Sequence, residues 1–286
     1  MRLLTTLFPA TLARRAHPIG QARREFKRDR PTWRVWVRSL GWVAAAFLAL
    51  TPAATRAQTL YDLAGDWSDE SNPNGVWTYR EDVNALPSVA NWTPLGASET
   101  QPAWAPSATL GNFLPAFMQS TTDNPAGLDI MVGDVFIHST DSTNGATSGV
   151  ANVIWTAPQA GTADLSGTIW LALDNERYND WTLLLEGADL TSGSVSSGDA
   201  FDRANPMDFA LGSGGASALS DIVVSAGDEI ELLITHDSTQ GEFVGVSFAV
   251  TFTEVPEPAH ALLLVTGALV LLGAGRLRLA RARTHR

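Results

Sequence analysis

The chain has 286 residues, 45% hydrophobic and only 17% charged, with no cysteine and a formal charge of −11. Lack of cysteine excludes both a disulfide framework and thiolate metal sites. Residues 58–253 hold three basic residues, Arg80, Arg177 and Arg203, against twenty-six acidic ones. That balance argues against nucleic acid or anionic lipid as a partner of this stretch. The other basic residues crowd the two ends, eleven in 1–57 and five in 276–286.

Residues 32–57 read as a secretory signal peptide: Arg34 and Arg38, an apolar core over 40–50, Pro52, and the small-residue site Thr55-Arg56-Ala57. Export through the Sec machinery and cleavage by signal peptidase before Gln58 are expected. The first thirty residues are arginine-rich, unpatterned and long for a signal's basic region, and one explanation is a true start at Val35 or Val37 from an alternative start codon.

From residue 58 to 253 the hydrophobic period is two, and helical periodicity is scarce. In 243–253, Val244, Val246, Phe248, Val250 and Phe252 alternate with small or polar residues. In 228–235, Ile230, Leu232 and Ile234 point inward and Glu229 and Glu231 outward. In 162–173 the inward set is Leu165, Ile169, Leu171 and Leu173. Further strands are expected at 76–80, 130–138, 151–157, 181–186, 207–211 and 222–224. Turn residues separate them at 144–145, 158–161, 197–199, 212–215 and 226–228. Between about 81 and 124 the alternation lapses, and proline-rich loops packed on the domain are expected there. Many short strands with glycine-rich turns predict an all-β, antiparallel, jelly-roll-like β-sandwich of about 195 residues.

Two polar clusters stand out. Asp66, Asp69, Glu70, Asn72 and Asn74 offer oxygen ligands at short spacing, as a Ca²⁺ site would; the same asparagines also suit a plain turn. Asp174, Asn175, Glu176, Asn179 and Asp180 lie between two strong strands, as a cation site, a sugar-contacting loop or a solvated loop. Seven tryptophans fall in the domain. Trp170, on the face opposite Ile169 and Leu171, and Trp92 and Trp104, in the proline-rich stretch, are the candidate glycan platforms. Catalytic signals are thin. His138 and His236 sit in no metal-ligand spacing, and His236-Asp237-Ser238 places triad residue types side by side, where they diverge. Any of the many acids supplies a carboxylate pair, so none singles out a glycosidase.

After the last strand come Val255-Pro256-Glu257-Pro258, an apolar run over 259–275, and Arg276, Arg278, Arg281, Arg283 and Arg286. The run is at the short limit for a transmembrane helix, and the arginines hold its far end in the cytoplasm. This tail, 254–286, resembles the PEP-CTERM sorting signal of Gram-negative bacteria, although leucine and alanine interrupt the arginines. The domain is similar to the β-sandwiches common in PEP-CTERM proteins. The resemblance rests on Asn72-Pro73-Asn74-Gly75-Val76-Trp77-Thr78-Tyr79, on Trp155-Thr156-Ala157-Pro158-Gln159-Ala160-Gly161-Thr162 and on Ser225-Ala226-Gly227-Asp228-Glu229-Ile230, in that order. Ala163 stands where that group carries an aromatic. The resemblance implies a galactose-binding-like or carbohydrate-binding-like sandwich and an exosortase-type sorting enzyme as partner. It also implies residence at the inner membrane during sorting, then at the cell surface or in the exopolysaccharide matrix. The expected function is non-enzymatic, with polysaccharide as a candidate ligand and Ca²⁺ as the one candidate cofactor. The alternatives are a secreted polysaccharide-modifying hydrolase and a permanently anchored surface protein.

Overall fold

The computed structural model describes residues 57–93, 100–106, 114–140, 150–236, 240–255, 266–269 and 271. Their strands are β1 (Gln58–Asp62), β2 (Trp77–Glu81), β3 (Asn84–Ala85), β4 (Ser88–Trp92), β5 (Gln101–Trp104), β6 (Ala116–Gln119), β7 (Val135–His138), β8 (Val150–Thr156), β9 (Gly161–Leu171), β10 (Tyr178–Leu185), β11 (Ala188–Ser196), β12 (Met207–Asp208), β13 (Ile222–Val224), β14 (Glu229–Thr235) and β15 (Phe243–Glu254). Every described pairing is antiparallel. One sheet runs β11-β10-β14-β8-β2-β3. The other runs β12-β9-β15-β7-β6-β5-β4, with β1 also on β15 and β13 also on β9.

Period-two patterning makes this a two-layer structure. Trp77, Tyr79, Val153, Trp155, Trp181, Leu183, Ile230, Leu232 and Ile234 face inward from one sheet. Phe117, Ile137, Leu165, Ile169, Val246, Phe248, Val250 and Phe252 meet them from the other, in one shared core. Each such side chain contributes roughly 1.5–3 kcal/mol by leaving water. The two antiparallel sheets and their common core form the sandwich that the alternation predicts.

Strand β15 organises the long axis. One edge pairs with β9 throughout; the other pairs first with β7 and then with β1. Gln58 therefore lies opposite Thr253, and the Glu254 and Val255 N–H groups donate to the carbonyls of Ala57 (3.3 Å) and Ala160 (3.2 Å). Both ends of the domain leave at one pole. Phe243 opens β15 at the other, about 36 Å away at roughly 3.3 Å per residue.

Two expectations need correction. Among the described residues of 81–124, β3, β4, β5 and β6 take the place of the expected loops and extend the larger sheet and its partner. Their short runs and bulged β4–β5 register break the alternation on which the sequence reading relied. A second apolar cluster, with Val89, Trp92, Ala103, Met118, Leu128, Ile130, Phe136, Trp170 and Phe243, covers the outer side of the larger sheet there. Leu173 is exposed, because β9 ends at Leu171.

Residues 266–269 and 271 are helical, and Leu269 and Leu271 are exposed. Among the described residues no helix is long and apolar enough to cross a membrane. The signal peptide, Pro256-Glu257-Pro258 and the arginines from Arg276 onward lie outside the described residues.

Candidate functional site

At the pole opposite the chain ends, three segments meet: 138–140 after β7, 175–179 leading into β10, and 240–243 leading into β15. The 172–177 connection returns tightly. The Ala172 N–H donates to the Phe243 carbonyl at 2.9 Å, and Glu176 takes a left-handed backbone (φ 64°). The turn aims Asn175, Arg177 and Asn179 at the 240–243 strand entry. Gly241 makes the approach possible, since a Cβ there would overlap the Ser139 hydroxyl and the Thr140 carbonyl.

Glu242 is the centre of this cluster and is 1% exposed. Its Oε1 accepts the Phe243 N–H at 2.9 Å, and its Oε2 accepts Asn175 Nδ2 and Arg177 Nη1, the latter at 3.4 Å. Arg177 also donates from Nη1 to the Gly241 carbonyl (3.0 Å) and from Nη2 to Gln240 Oε1 (2.7 Å). Asn179 Nδ2 donates to the Glu242 carbonyl (3.2 Å), and the Ser139 hydroxyl donates to Asn179 Oδ1 (2.5 Å). Burial pushes the Glu242 carboxyl above its ordinary range; the Phe243 N–H, Asn175 and Arg177 pull the other way. Two polar atoms here have no hydrogen-bond partner although buried, Asn175 Oδ1 and Thr140 Oγ1. The His138 ring lies edge-on to Phe243, 4.3 Å between centroids, with Nδ1 2.6 Å from the Ser139 carbonyl.

Chemically, Glu242 is a positioning group. Both its oxygens are engaged by fixed donors, and it holds Arg177 and Asn175 in one orientation. Arg177 keeps 31% side-chain exposure beside the partly exposed Tyr178, Asp180 and Gln240. The result is a partly exposed planar guanidinium held beside a carboxamide at a protein pole. Such groups recognise neighbouring hydroxyls by paired hydrogen bonds.

The second polar cluster of the sequence is thus partly assembled. Asn175 and Asn179 join Glu242; Asp174 instead accepts from the Ser197 hydroxyl, and Glu176 is exposed. Glu242, Ser139 and Thr140 were not singled out by sequence. Glu242 is one acid among twenty-six, and only a turn and a register bring it under Asn175.

The first cluster is bonded within its own loop and to β2. Asp66 Oδ2 accepts the Asp62 N–H (3.0 Å) and the Trp77 indole (3.1 Å), and Asp69 Oδ1 accepts the Trp67 indole (2.8 Å). Asn72 ties β2 to the next turn: Nδ2 donates to the carbonyls of Tyr79 (2.7 Å) and Leu86 (2.9 Å), and Oδ1 accepts the Tyr79 N–H (2.9 Å). Asn74 Nδ2 donates to the Asp66 carbonyl at 2.5 Å, and Glu70 is exposed. Among the described residues no three His, Asp or Glu side chains are placed to hold a metal ion. The oxygens and amides of this cluster fasten the loop.

The three candidate sugar platforms are interior. Trp92, Trp104 and Trp170 are 4%, 3% and 4% exposed. Trp92 packs edge-on to Phe243, Trp104 stacks on Tyr79, and Trp170 donates its indole N–H to the Asp129 carbonyl at 2.9 Å. A ring without a free face cannot stack on a pyranose. Of the seven tryptophans in 58–253, Trp67 alone is partly exposed.

The three arginines of the domain are all committed. Arg80 holds Glu229 through two bonds (3.1 and 2.7 Å), Arg177 holds Glu242, and Arg203 holds Asp134 through two bonds (2.5 and 3.1 Å). The hydrogen bond to Asp134 raises the Arg203 pKa further.

Fold and site define an acidic, all-β domain of two antiparallel sheets with a buried-carboxylate cluster at the pole away from its ends. No protein-family profile and no curated protein matches the chain. Among solved structures, the catalytic domain of a GH87 α-1,3-glucanase in complex with nigerose aligns with 43% of this chain and 22% of its own, at 16% identity and a TM-score of 0.22. The chain therefore spans less than a quarter of that domain. A family 35 carbohydrate-binding module from Clostridium thermocellum aligns with 68% of this chain and 97% of its own, at 10% identity and a TM-score of 0.23. At such TM-scores neither likeness carries an argument about this protein.

Proposed function

We propose that this chain is an exported, non-enzymatic protein of the cell surface or exopolysaccharide matrix. Its carbohydrate-binding-like, jelly-roll-like sandwich binds glycan at the Glu242 pole. Its tail from Val255 onward is a sorting signal read by an exosortase-type enzyme at the inner membrane. The observation that carries the glycan reading is the cluster itself. Asn175 and Arg177 are locked side by side by a buried carboxylate, part of the set stays exposed, and Asn175 Oδ1 lacks a partner. Its position supports the reading too, since a domain tethered through Val255 presents this pole outward.

The test is retention of the full chain, in mild detergent, on immobilised polysaccharides. Asn175→Ala and Arg177→Lys are expected to lose retention at a temperature where both variants remain fully folded, because lysine keeps the charge facing Glu242 but not the planar fork. Retention equal to the parent in both variants removes the site. For the tail, mass spectrometry of the mature C-terminus with and without the exosortase decides. An intact Arg286 in both strains removes the sorting assignment.

A further inference from the structure

We infer that the glycan this domain takes is uncharged, so that acidic polysaccharides rich in uronate or sulfate are rejected. The inference rests on the glycan reading and names the substrate class of the same site. Recognition of a polyanion needs cationic side chains with charge to spare. Residues 57–255 contain no lysine and three arginines, and each arginine is already neutralised by a carboxylate of its own chain.

Each pair also bridges separate segments of the chain. Arg80 and Glu229 join β2 to β14 across β8 on the smaller sheet. Arg203 binds the 199–205 loop to the turn before β7, reinforced by its own N–H on Asp129 Oδ2 at 3.0 Å. Arg177 faces a carboxylate that is 2% exposed, and pulling it toward a ligand anion would strand that carboxylate in the interior. His138 does not replace them. His138 is buried, with Nδ1 against the Ser139 carbonyl.

The surroundings repel anions further. Asp174, Glu176 and Asp180 lie within the segment that carries Asn175 and Arg177. A uronate approaching Arg177 meets these acids within a Debye length, roughly 8 Å at physiological salt. A neutral sugar meets something different. Paired with Glu242, the partly exposed guanidinium offers hydrogen-bond donors with no net charge.

The experiment passes the full chain over dextran and a β-1,4-glucan, and over alginate and polygalacturonate, all with EDTA, at low and high sodium chloride. Expected is retention on at least one neutral matrix that changes less than about twofold with salt, and on the acidic matrices only the salt-sensitive retention that the basic residues of 1–57 and 276–286 give, which soluble neutral glycan does not displace. Acidic-matrix retention that soluble neutral glycan displaces, or that survives high salt, overturns the inference while leaving glycan binding intact. Acidic-matrix retention that appears only when Ca²⁺ replaces EDTA also overturns it, because the cation is then what is recognised. No retention on any matrix overturns the glycan reading itself, a distinguishable result.

Discussion

Gly245 on β15 lies directly opposite Trp170 on β9, and the indole covers it so closely that a Cβ at Gly245 would overlap the ring. The missing side chain lets the tryptophan lie flat on the sheet, under the Leu128–Ile130 turn whose Asp129 carbonyl accepts its N–H. This contact seals the second apolar cluster and turns a candidate sugar platform into a core residue. Gly245→Ala should destabilise the domain by about 1–3 kcal/mol through overpacking, and Trp170→Ala by about 3–5 kcal/mol through cavity formation. Urea denaturation measures both. A Gly245→Ala variant as stable as the parent would contradict this packing.

The Arg177–Glu242 and Arg80–Glu229 pairs differ in burial, and so in consequence. Removing Arg177 leaves a buried carboxylate without its cation, so Arg177→Met should cost about 3–5 kcal/mol. Arg80 and Glu229 are 26% and 38% exposed, and Arg80→Met should cost about 0–1 kcal/mol. Equal losses in the two variants would refute the distinction.

Stability should fall as pH rises just above the ordinary carboxylate range. Burial raises the folded-state pKa of both Glu242 and Glu231, so between the unfolded and folded values the native state binds more protons than the unfolded chain. Raising the pH through that window therefore removes stability, which is fully present below it. Glu231→Gln with Glu242→Gln should flatten the profile. Melting temperatures across pH 4–8 give the answer, and an unchanged slope in the double variant counts against it.

Asn72 fastens its loop by three hydrogen bonds to backbone, and Asn72→Ala should cost about 2–4 kcal/mol. Because Asp66, Asp69, Asn72 and Asn74 are engaged within the loop, Ca²⁺ should give no calorimetric heat and no thermal shift. A stabilising, stoichiometric Ca²⁺ response lost in Asp66→Ala would restore a metal site there.

How far the sequence could be read depended on alternation. Strands β14 and β15 were legible because one face is uniformly apolar, as was β9 as far as Leu171. Strand β11 was not: it holds three serines and Gly193, with only Thr191 and Val195 buried. Its hairpin turns on Glu186-Gly187, both with positive φ, where asparagine or aspartate before glycine is the usual signal. The candidate site was half visible. Asn175 and Asn179 stood out between two strands, but their partner Glu242 lies more than sixty residues along and looks like any other acid.

By itself the sequence determined the all-β class, the antiparallel alternation of the principal strands and the acidic balance of residues 58–253. These follow from local period and composition, which need no knowledge of contacts. Only the tertiary structure decided which tryptophans are interior, that Asn72 and Asn74 fasten a loop, and that Glu242, Asn175 and Arg177 form one cluster. Those outcomes depend on burial and strand register between distant segments, and a one-residue change of register would reverse each of them.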